Sequence, residues 1–414
     1  MGTPTSEHQA LETHLRCIRD FLSVAETGSI ARSSVVIYKA ASAITRSIAE
    51  LEGCLGVALF ERKPRGMLLN VYGEAVRNRA LRIADEIAGA LDETSRAGKR
   101  NHAVERNAVT TLLLNGRGLQ LLISLSELRN LSAAASHVSL SQAGASMSLS
   151  RMEGALGEPL FHRMTQGMIA TDAGAKIVSR GKRIFAELRH MQSDVAALAG
   201  TTLGSIAIGA LPLGRTDLLP TAIASALHRH PKIRVTTVES PYEALVGGLR
   251  DGVIDFIVGA LRPQEKNVGL VTERLFDDRL GIIVRTGHPL VGAKLTLRDL
   301  LQQQWILPRP GAPGRGLIDV SFRELSIEPP VPSVETGDLA VLRGLLKQSD
   351  MITAISPHQL LYEIASGDLI QLPIDLGKTV RQIGITLRAG AVLSPAARAV
   401  LNEIRKTARS MPIR

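Results

Sequence analysis

Ser42, Thr45 and Arg46 stand on one side of a segment whose other side is Ile44, Ile48, Leu51 and Leu55, apolar residues spaced four, three and four apart. That spacing predicts an amphipathic helix with its apolar stripe buried and a short, polar, cationic face turned outward. Such a face suits hydrogen bonding to nucleic acid: an Arg bridges the two acceptors of guanine, and Ser or Thr bonds a base edge or a phosphate. Lys39, just ahead of the helix, adds a cation at the same end. Downstream, ALFERKPRGMLL reads as two short strands around a turn holding Arg62, Lys63, Pro64, Arg65 and Gly66. This is a wing, and Arg65 at its tip could reach phosphates or a narrow minor groove. Taken alone, the hairpin could equally be a solvated basic turn.

The elements that must position these groups come just before them. Ile18, Phe21, Leu22 and Ala25 are spaced for one face of a first helix, which Gly28 ends; Ser29 follows as the N-cap of a second helix from about Ile30. The outward-facing segment is then the third helix of a compact bundle. The same construction recurs. Leu51 to Gly73 returns without a gap as Met152 to Gly174, with Gly53, Leu55, Gly56, Leu59, Phe60, Arg62, Gly66 and Gly73 repeated as Gly154, Leu156, Gly157, Leu160, Phe161, Arg163, Gly167 and Gly174. An internal duplication of this kind decides the fold before any other feature does.

Composition sets the outer bounds. A chain of 414 residues suggests two to four domains, and 45% hydrophobic with 21% charged residues is ordinary for a soluble protein. No run approaches the roughly 18 apolar residues of a membrane span, and the N-terminus lacks an export signal, so the expected location is cytoplasmic. A formal net charge of +10 favours a polyanionic partner, though it is spread thinly. Cys17 and Cys54 read as small core residues without a role.

Residues 15–97 resemble the winged helix-turn-helix domain of LysR-type transcriptional regulators, through AETGSI at Ala25 to Ile30 and LEGCLGVALFERKPR at Leu51 to Arg65. The family usually begins its recognition helix with Ser-Gln-Pro, where this repeat has Ala40, Ala41 and Ser42. The second repeat, residues 117–200, restores that start with Ser141 and Gln142, places Ser146 where the first has Thr45, and keeps Arg163 in its wing, but puts Met147 in place of Arg46. Two readings stay open: two DNA-reading heads in one chain, or one head and one copy turned into a packing module. After the second wing, Ile177, Gly181, Ile184, Leu188, Met191, Val195 and Leu198 alternate steps of four and three over three heptads, a seam expected to pair subunits into a homodimer or homotetramer. The corresponding helix after the first wing loses its pattern near Ala90, and residues 98–116 read as a linker.

From Leu203 the texture alternates short β-rich runs with helices, the pattern of an open α/β sheet with ligands at the carboxyl ends of its strands. Residues 203–409 resemble the LysR effector domain, itself similar to periplasmic solute-binding proteins, through SIAIGALP, the His288-Pro289-Leu290 tripeptide and Gly-Asp-Leu at Gly367. WILPRPGAPGR and RQIGITLR are most like the branch regulating sugar-binding-protein and aromatic-catabolic genes. The resemblance implies a multidomain chain: two all-α winged helix-turn-helix domains, then an α/β two-lobed domain of the type 2 periplasmic-binding-protein kind.

A small effector, anionic or hydroxyl-rich, is then expected between the lobes, at Leu211, Arg215, Thr216, Ser240, Arg309, Gly311, Arg315 and Thr336, with the three Arg suited to a carboxylate. The expected mechanism is effector-driven closure that respaces the DNA heads. The competing readings are a cytoplasmic solute-binding protein whose repeats only pack or dimerise, and an enzyme on the two-lobed fold. No phosphate loop, metal cluster, nucleophile elbow or paired-carboxylate motif supports the latter, so no catalytic residue, metal or cofactor is expected. His228 and His230 stand too close together for the usual metal pair.

Overall fold

The structure, a computed structural model, describes residues 11–63, 66–95, 102–263 and 268–411. The first head is α1 (Leu15–Thr27), α2 (Ile30–Val36), α3 (Ala41–Leu55), the hairpin β1 (Phe60–Lys63) and β2 (Gly66–Leu69), and a long helix α4 (Val71–Ser95). Gly28 ends α1 with φ 66°, and the Ser29 side chain caps α2 by accepting from the Arg32 amide. After α5 (His102–Leu113) the plan repeats as α6 (Gly116–Leu128), α7 (Leu131–His137), α8 (Gln142–Leu156), β3 (Phe161–Met164), β4 (Gly167–Ala170) and α9 (Asp172–Leu198).

The repeated glycines have a mechanical reason. Each wing hooks onto its own first helix, Met67 N–H donating to the Gly28 carbonyl (2.9 Å) and Met168 N–H to the Arg129 carbonyl (2.8 Å). A Cβ on Gly66 or Gly167 would fall onto that same carbonyl, and both have φ in the region only glycine tolerates easily, 136° and 108°.

The two long helices run antiparallel against each other. Arg79 of α4 pairs with Glu187 and Asp194 of α9, while further along Arg180 of α9 pairs with Glu86 and Glu93 of α4. This corrects the expected subunit seam. Ile177, Ile184, Leu188, Met191 and Val195 are buried in a single core that runs through both heads, and Gly181 lies against Leu119 and Ile123 of α6. Only Leu198, at the end, is 50% exposed. A heptad stripe reports that a helix packs on one side, and here that partner belongs to the same chain. The linker expectation changes too: residues 102–113 form α5, whose Val109, Leu112 and Leu113 enter the shared core, and residues 96–101 lie outside the described residues.

The C-terminal half has two five-stranded sheets. One contains β5 (Gly204–Ala210), β6 (Ile233–Val238), β7 (Phe256–Ala260), β8 (Leu270–Asp278) and β14 (Arg381–Arg388) in the order β6-β5-β7-β14-β8. The other contains β9 (Gly281–Arg285), β10 (Trp305–Leu307), β11 (Val334–Glu335), β12 (Ile352–Ile355) and β13 (Leu369–Leu372) in the order β11-β10-β12-β9-β13. The chain crosses between lobes twice, from β8 to β9 and from β13 to β14. Helices α10 (Leu218–Arg229), α11 (Tyr242–Arg250), α12 (Pro313–Glu324), α13 (Leu339–Gln348), α14 (Leu361–Ala365) and α15 (Pro395–Ser410) complete the half. The segment LTLRDLLQQ, expected to be helical, forms only a 3-10 turn over Leu297–Leu300, closed by the Thr296–Asp299 capping box. No described helix is long and apolar enough to cross a membrane.

The two halves meet at Arg79, which is 2% exposed. Its guanidinium bonds Asp194 (Nε to Oδ2, 2.6 Å) and Glu187 (Nη1 to Oε2, 2.9 Å), and also donates to the main-chain carbonyls of Val392 (2.7 Å) and Leu393 (3.4 Å). Arg82 bonds Glu187 at 2.9 Å and the Gly390 carbonyl at 2.7 Å. Burial by itself would raise the Glu187 carboxyl, but the charges and hydrogen bonds of Arg79 and Arg82 outweigh it and hold the carboxyl below the usual glutamate range.

Breaking a buried network by removing one member costs about 3–5 kcal/mol, so Arg79→Met should lower the thermal midpoint markedly at neutral pH. A carboxyl depressed in the folded state contributes fully above the ordinary glutamate pKa of about 4.3 and loses that contribution as pH falls through its folded value. The gap in thermal midpoint between native chain and variant should therefore narrow below about pH 4. A gap that stays constant on acidification would assign the loss to packing instead.

Candidate functional site

The face of the first head expected to meet DNA lies on α3. Ala41, Ser42, Thr45, Arg46 and Ala49 are exposed, while Ile44, Ile48 and Leu51 are buried below them. Arg46 is the most prominent, its side chain 82% exposed, with Nε on Glu50 at 2.8 Å. Thr45 directs its hydroxyl to the Ala41 carbonyl at 3.0 Å, which leaves its methyl and the oxygen's acceptor capacity for a partner. Lys39 departs from the expectation: its ammonium is paired with the fully buried Asp20 and bonds Ser47 at 3.1 Å, so it ties α1 to α3 and is not a groove contact. Arg62 lies in β1 opposite Met67, and its side chain, like all of Arg65, falls outside what the structure describes.

The second head presents α8 in the same way. Ser141, Gln142, Ala143, Ser146, Met147 and Ser150 are exposed above buried Ala145, Leu149 and Met152. Ser141 is also the N-cap, its hydroxyl accepting from the Gly144 amide at 3.0 Å, a bond compatible with phosphate contact through the remaining hydroxyl proton. Arg163 is exposed on the wing strand β3. Beside the expected residues the structure sets Tyr38, 95% exposed with φ 51°, in the turn ahead of α3, matched by Ser139 with φ 55° ahead of α8. The sequence carried only a faint signal for this turn, the β-branched Val35-Val36-Ile37 run that resists continuing a helix.

Between the lobes lies a cleft of about 160 Å³. Its walls are largely apolar, including Leu211, Leu213, Leu280, Leu342 and Ile355, and two cations enter it: Arg262 after β7 and Arg381 at the start of β14. Arg262 stacks over the Tyr242 ring at 4.5 Å, and its pKa is pushed down, mainly by burial and further by the charge of Arg381. Arg381 bonds buried Asp278 at 2.8 Å. The uncapped first turn of α12, at Ala312 to Gly314, also lines the cleft.

Of the residues expected to hold an effector, Leu211 and Thr336 line this cleft. The others do not. Arg215 turns back to the Ala210 carbonyl (2.9 Å), Arg309 and Gly311 are exposed outside the lining, and Arg315 is engaged by Asp319 (3.0 Å) and Glu335 (3.1 Å). Thr216 bonds the Gln359 carbonyl at 3.2 Å, and Ser240 stands off the lining. Sequence proximity to a strand end located the loops, but side-chain direction is set by the surroundings, and Arg215 and Arg315 each found a local acceptor. Arg381 was within a quoted motif, RQIGITLR, yet only the pairing of β14 with β7 and β8 shows that it enters the cleft.

The Cys17 thiol is pushed up to about 11, by burial first and then by the Glu50 charge, so it is protonated at neutral pH and offers no thiolate.

Comparison with known proteins agrees with this layout. Residues 15–74 and 117–175 each match the family described as bacterial regulatory helix-turn-helix protein, lysR family, and residues 199–409 match the LysR substrate binding domain. The chain is 42% identical over 393 residues to the HTH-type transcriptional regulator GalR of Pseudomonas putida, covering 95% of this chain and 97% of that protein. It is 26% identical over 306 residues to the HTH-type transcriptional regulator GbpR of Azospirillum brasilense, covering 73% of this chain and 90% of that protein. The solved structure of CbnR, a LysR family transcriptional regulator, matches with a TM-score of 0.51 at 20% identity, over 70% of this chain and 98% of that one. A full-length OxyR variant from Pseudomonas aeruginosa matches at 0.52 and 21%, over 71% and 94%. Both solved neighbours are covered almost end to end with over a quarter of this chain left over, as a duplicated head requires.

Two substitutions separate reading from scaffolding on the first head. Arg46→Ala should weaken operator binding in gel shift by about 1–3 kcal/mol, the worth of a bidentate guanine contact, with the thermal midpoint unchanged. Lys39→Met should instead lower the thermal midpoint by stranding buried Asp20. Equal affinity for wild type and the Arg46 variant would remove the first head from readout.

Proposed function

This chain belongs to the LysR family of bacterial helix-turn-helix regulators, and from that membership we propose that a single chain supplies a built-in pair of DNA-reading heads whose geometry is set by a small anionic effector between the C-terminal lobes. Members of the family bind duplex DNA and small effectors and form oligomers, and those partner classes are this chain's as well. The observation that carries the two-headed reading is the pairing of α4 with α9. The helices that follow the two recognition elements are packed on each other, while α3 and α8 both keep their polar faces in solvent. A repeat turned into a mere packing module would have no reason to keep that face polar and open. Further association between chains would use surfaces other than the buried seam.

The cleft chemistry favours an anion with an apolar body. Arg262 and Arg381 oppose each other's charge, the open N-terminus of α12 adds partial positive charge, and aliphatic walls suit a small carboxylate better than a hydroxyl-rich solute. A ligand that bound the closed lobes better than the open ones would shift the population toward closure. The movement would reach the heads through the segment Gly390 to Leu393, whose carbonyls are held by Arg79 and Arg82. Nothing in this sequence of events makes or breaks a covalent bond; regulation proceeds by binding and movement, in the cytoplasm with the DNA.

Two measurements test the reading. Footprinting with the purified chain should protect two half-sites, with binding saturating at one chain per pair; saturation at one chain per half-site would reject the built-in pair. Titration calorimetry with a panel of small aromatic and aliphatic carboxylates should give binding that Arg262→Gln weakens at least about tenfold, the scale of a charge-assisted hydrogen bond, and that Arg215→Ala leaves unchanged. Binding of polyols but of no carboxylate would reject the anionic cleft.

A further inference from the structure

The two heads share a backbone plan, but the groups they turn outward have diverged. At equivalent positions α3 and α8 carry Ala41 and Gln142, Thr45 and Ser146, Arg46 and Met147, and Ala49 and Ser150. All of these are exposed, Met147 to 64%. The positions beneath them remain apolar in both copies, Ile44 and Ala145, Ile48 and Leu149, Leu51 and Met152, and are buried. The buried positions change in size but stay apolar, whereas the outward positions change in chemical character. The wings differ in the same sense, Lys63 of the first standing where the second has Met164, both exposed.

These differences have definite chemical meaning at base edges. Arg46 can bridge O6 and N7 of guanine; its bond to Glu50 uses Nε, and its side chain is 82% exposed. The second head has no cation there. Gln142 offers a donor and an acceptor side by side, which match N7 and N6 of adenine, and Met147 offers an apolar surface suited to a thymine methyl. A symmetric dimer with one head per subunit brings identical residues to both half-sites, so its operator is palindromic. Here the pair joined by α4 and α9 is two unlike heads in one chain, and no symmetry operation makes them equivalent.

We propose that the chain reads an asymmetric duplex site, a guanine-containing half-site under the first head and an A·T-rich half-site under the second. The proposal rests on both heads touching DNA.

The test is selection of duplexes from a fully randomised library by the full-length chain, followed by sequencing and footprinting on the selected site, repeated with Arg46→Ala and Gln142→Ala. Two unlike half-sites are expected. Arg46→Ala should relax base preference roughly five- to 150-fold at a guanine of one half and leave the other half unaltered; Gln142→Ala should do the converse at an adenine. Protection of both halves with the same sequence in each, or an Arg46 effect spread equally over both, overturns the asymmetric site while the two-headed reading stands. Protection of one half alone overturns the two-headed reading itself, and the asymmetric site with it.

Discussion

The Arg79 guanidinium lies in the middle of the molecule with carboxylates of α9 on one side and main-chain carbonyls of the C-terminal domain on the other. Taking a charge out of water is costly, and the cost is offset only if its donors and the opposing charges are all satisfied. That demand fixes three things together: the register of α4 against α9, the position of the loop at Val392, and the docking of one half on the other. Arg82 shares Glu187, so two guanidinium groups face two carboxylates and the cluster is close to neutral. Neighbouring contacts reinforce the junction, His190 on buried Asp255 at 3.0 Å and Arg189 on the Gly252 carbonyl at 3.1 Å. A polar junction of this kind resists sliding, because a shift of one residue would strand a buried charge. An apolar seam alone would tolerate it.

Around that junction the duplication has had unequal consequences. Inside each head, repeated glycines and repeated aliphatic positions reproduce the same bundle and the same hook between wing and first helix. Between the heads, the long helix α9, expected to pair subunits, packs instead on α4 of the same chain. Once the partner surface is covalently supplied, its two sides need no longer be identical, and the charges along it have segregated: Arg79 and Arg82 on α4 meet acids on α9, while Arg180 and Arg183 on α9 meet Glu86 on α4. The outward faces of α3 and α8, freed from the requirement of self-symmetry, differ too.

The cleft shows where reading residue types along a chain stops working. Arg215, Arg309 and Arg315 have the right chemistry in the right loops, yet Arg215 and Arg315 are consumed locally and Arg309 is exposed outside the cleft lining. Arg262 and Arg381, which do enter the cleft, lie far apart in sequence and meet only because β7 and β14 are neighbours in one sheet. Lys39 illustrates the same limit in the first head: a cation beside a recognition helix looks available until a buried Asp20 from another helix claims it.

Periodicity and repetition by themselves determined the bundle, the wings, the doubled plan, the outward faces of α3 and α8, and the alternation of strands and helices in the second half. These follow from local rules, since which side of a helix is apolar and where a glycine must stand depend on near neighbours. Tertiary structure alone decided what each buried stripe packs against, which cations are already paired, and which residues from distant strands share a cleft. A heptad pattern specifies that a helix needs a partner but carries no statement of which one. The partner is chosen by long-range packing and charge satisfaction, and those exist only once the chain has folded.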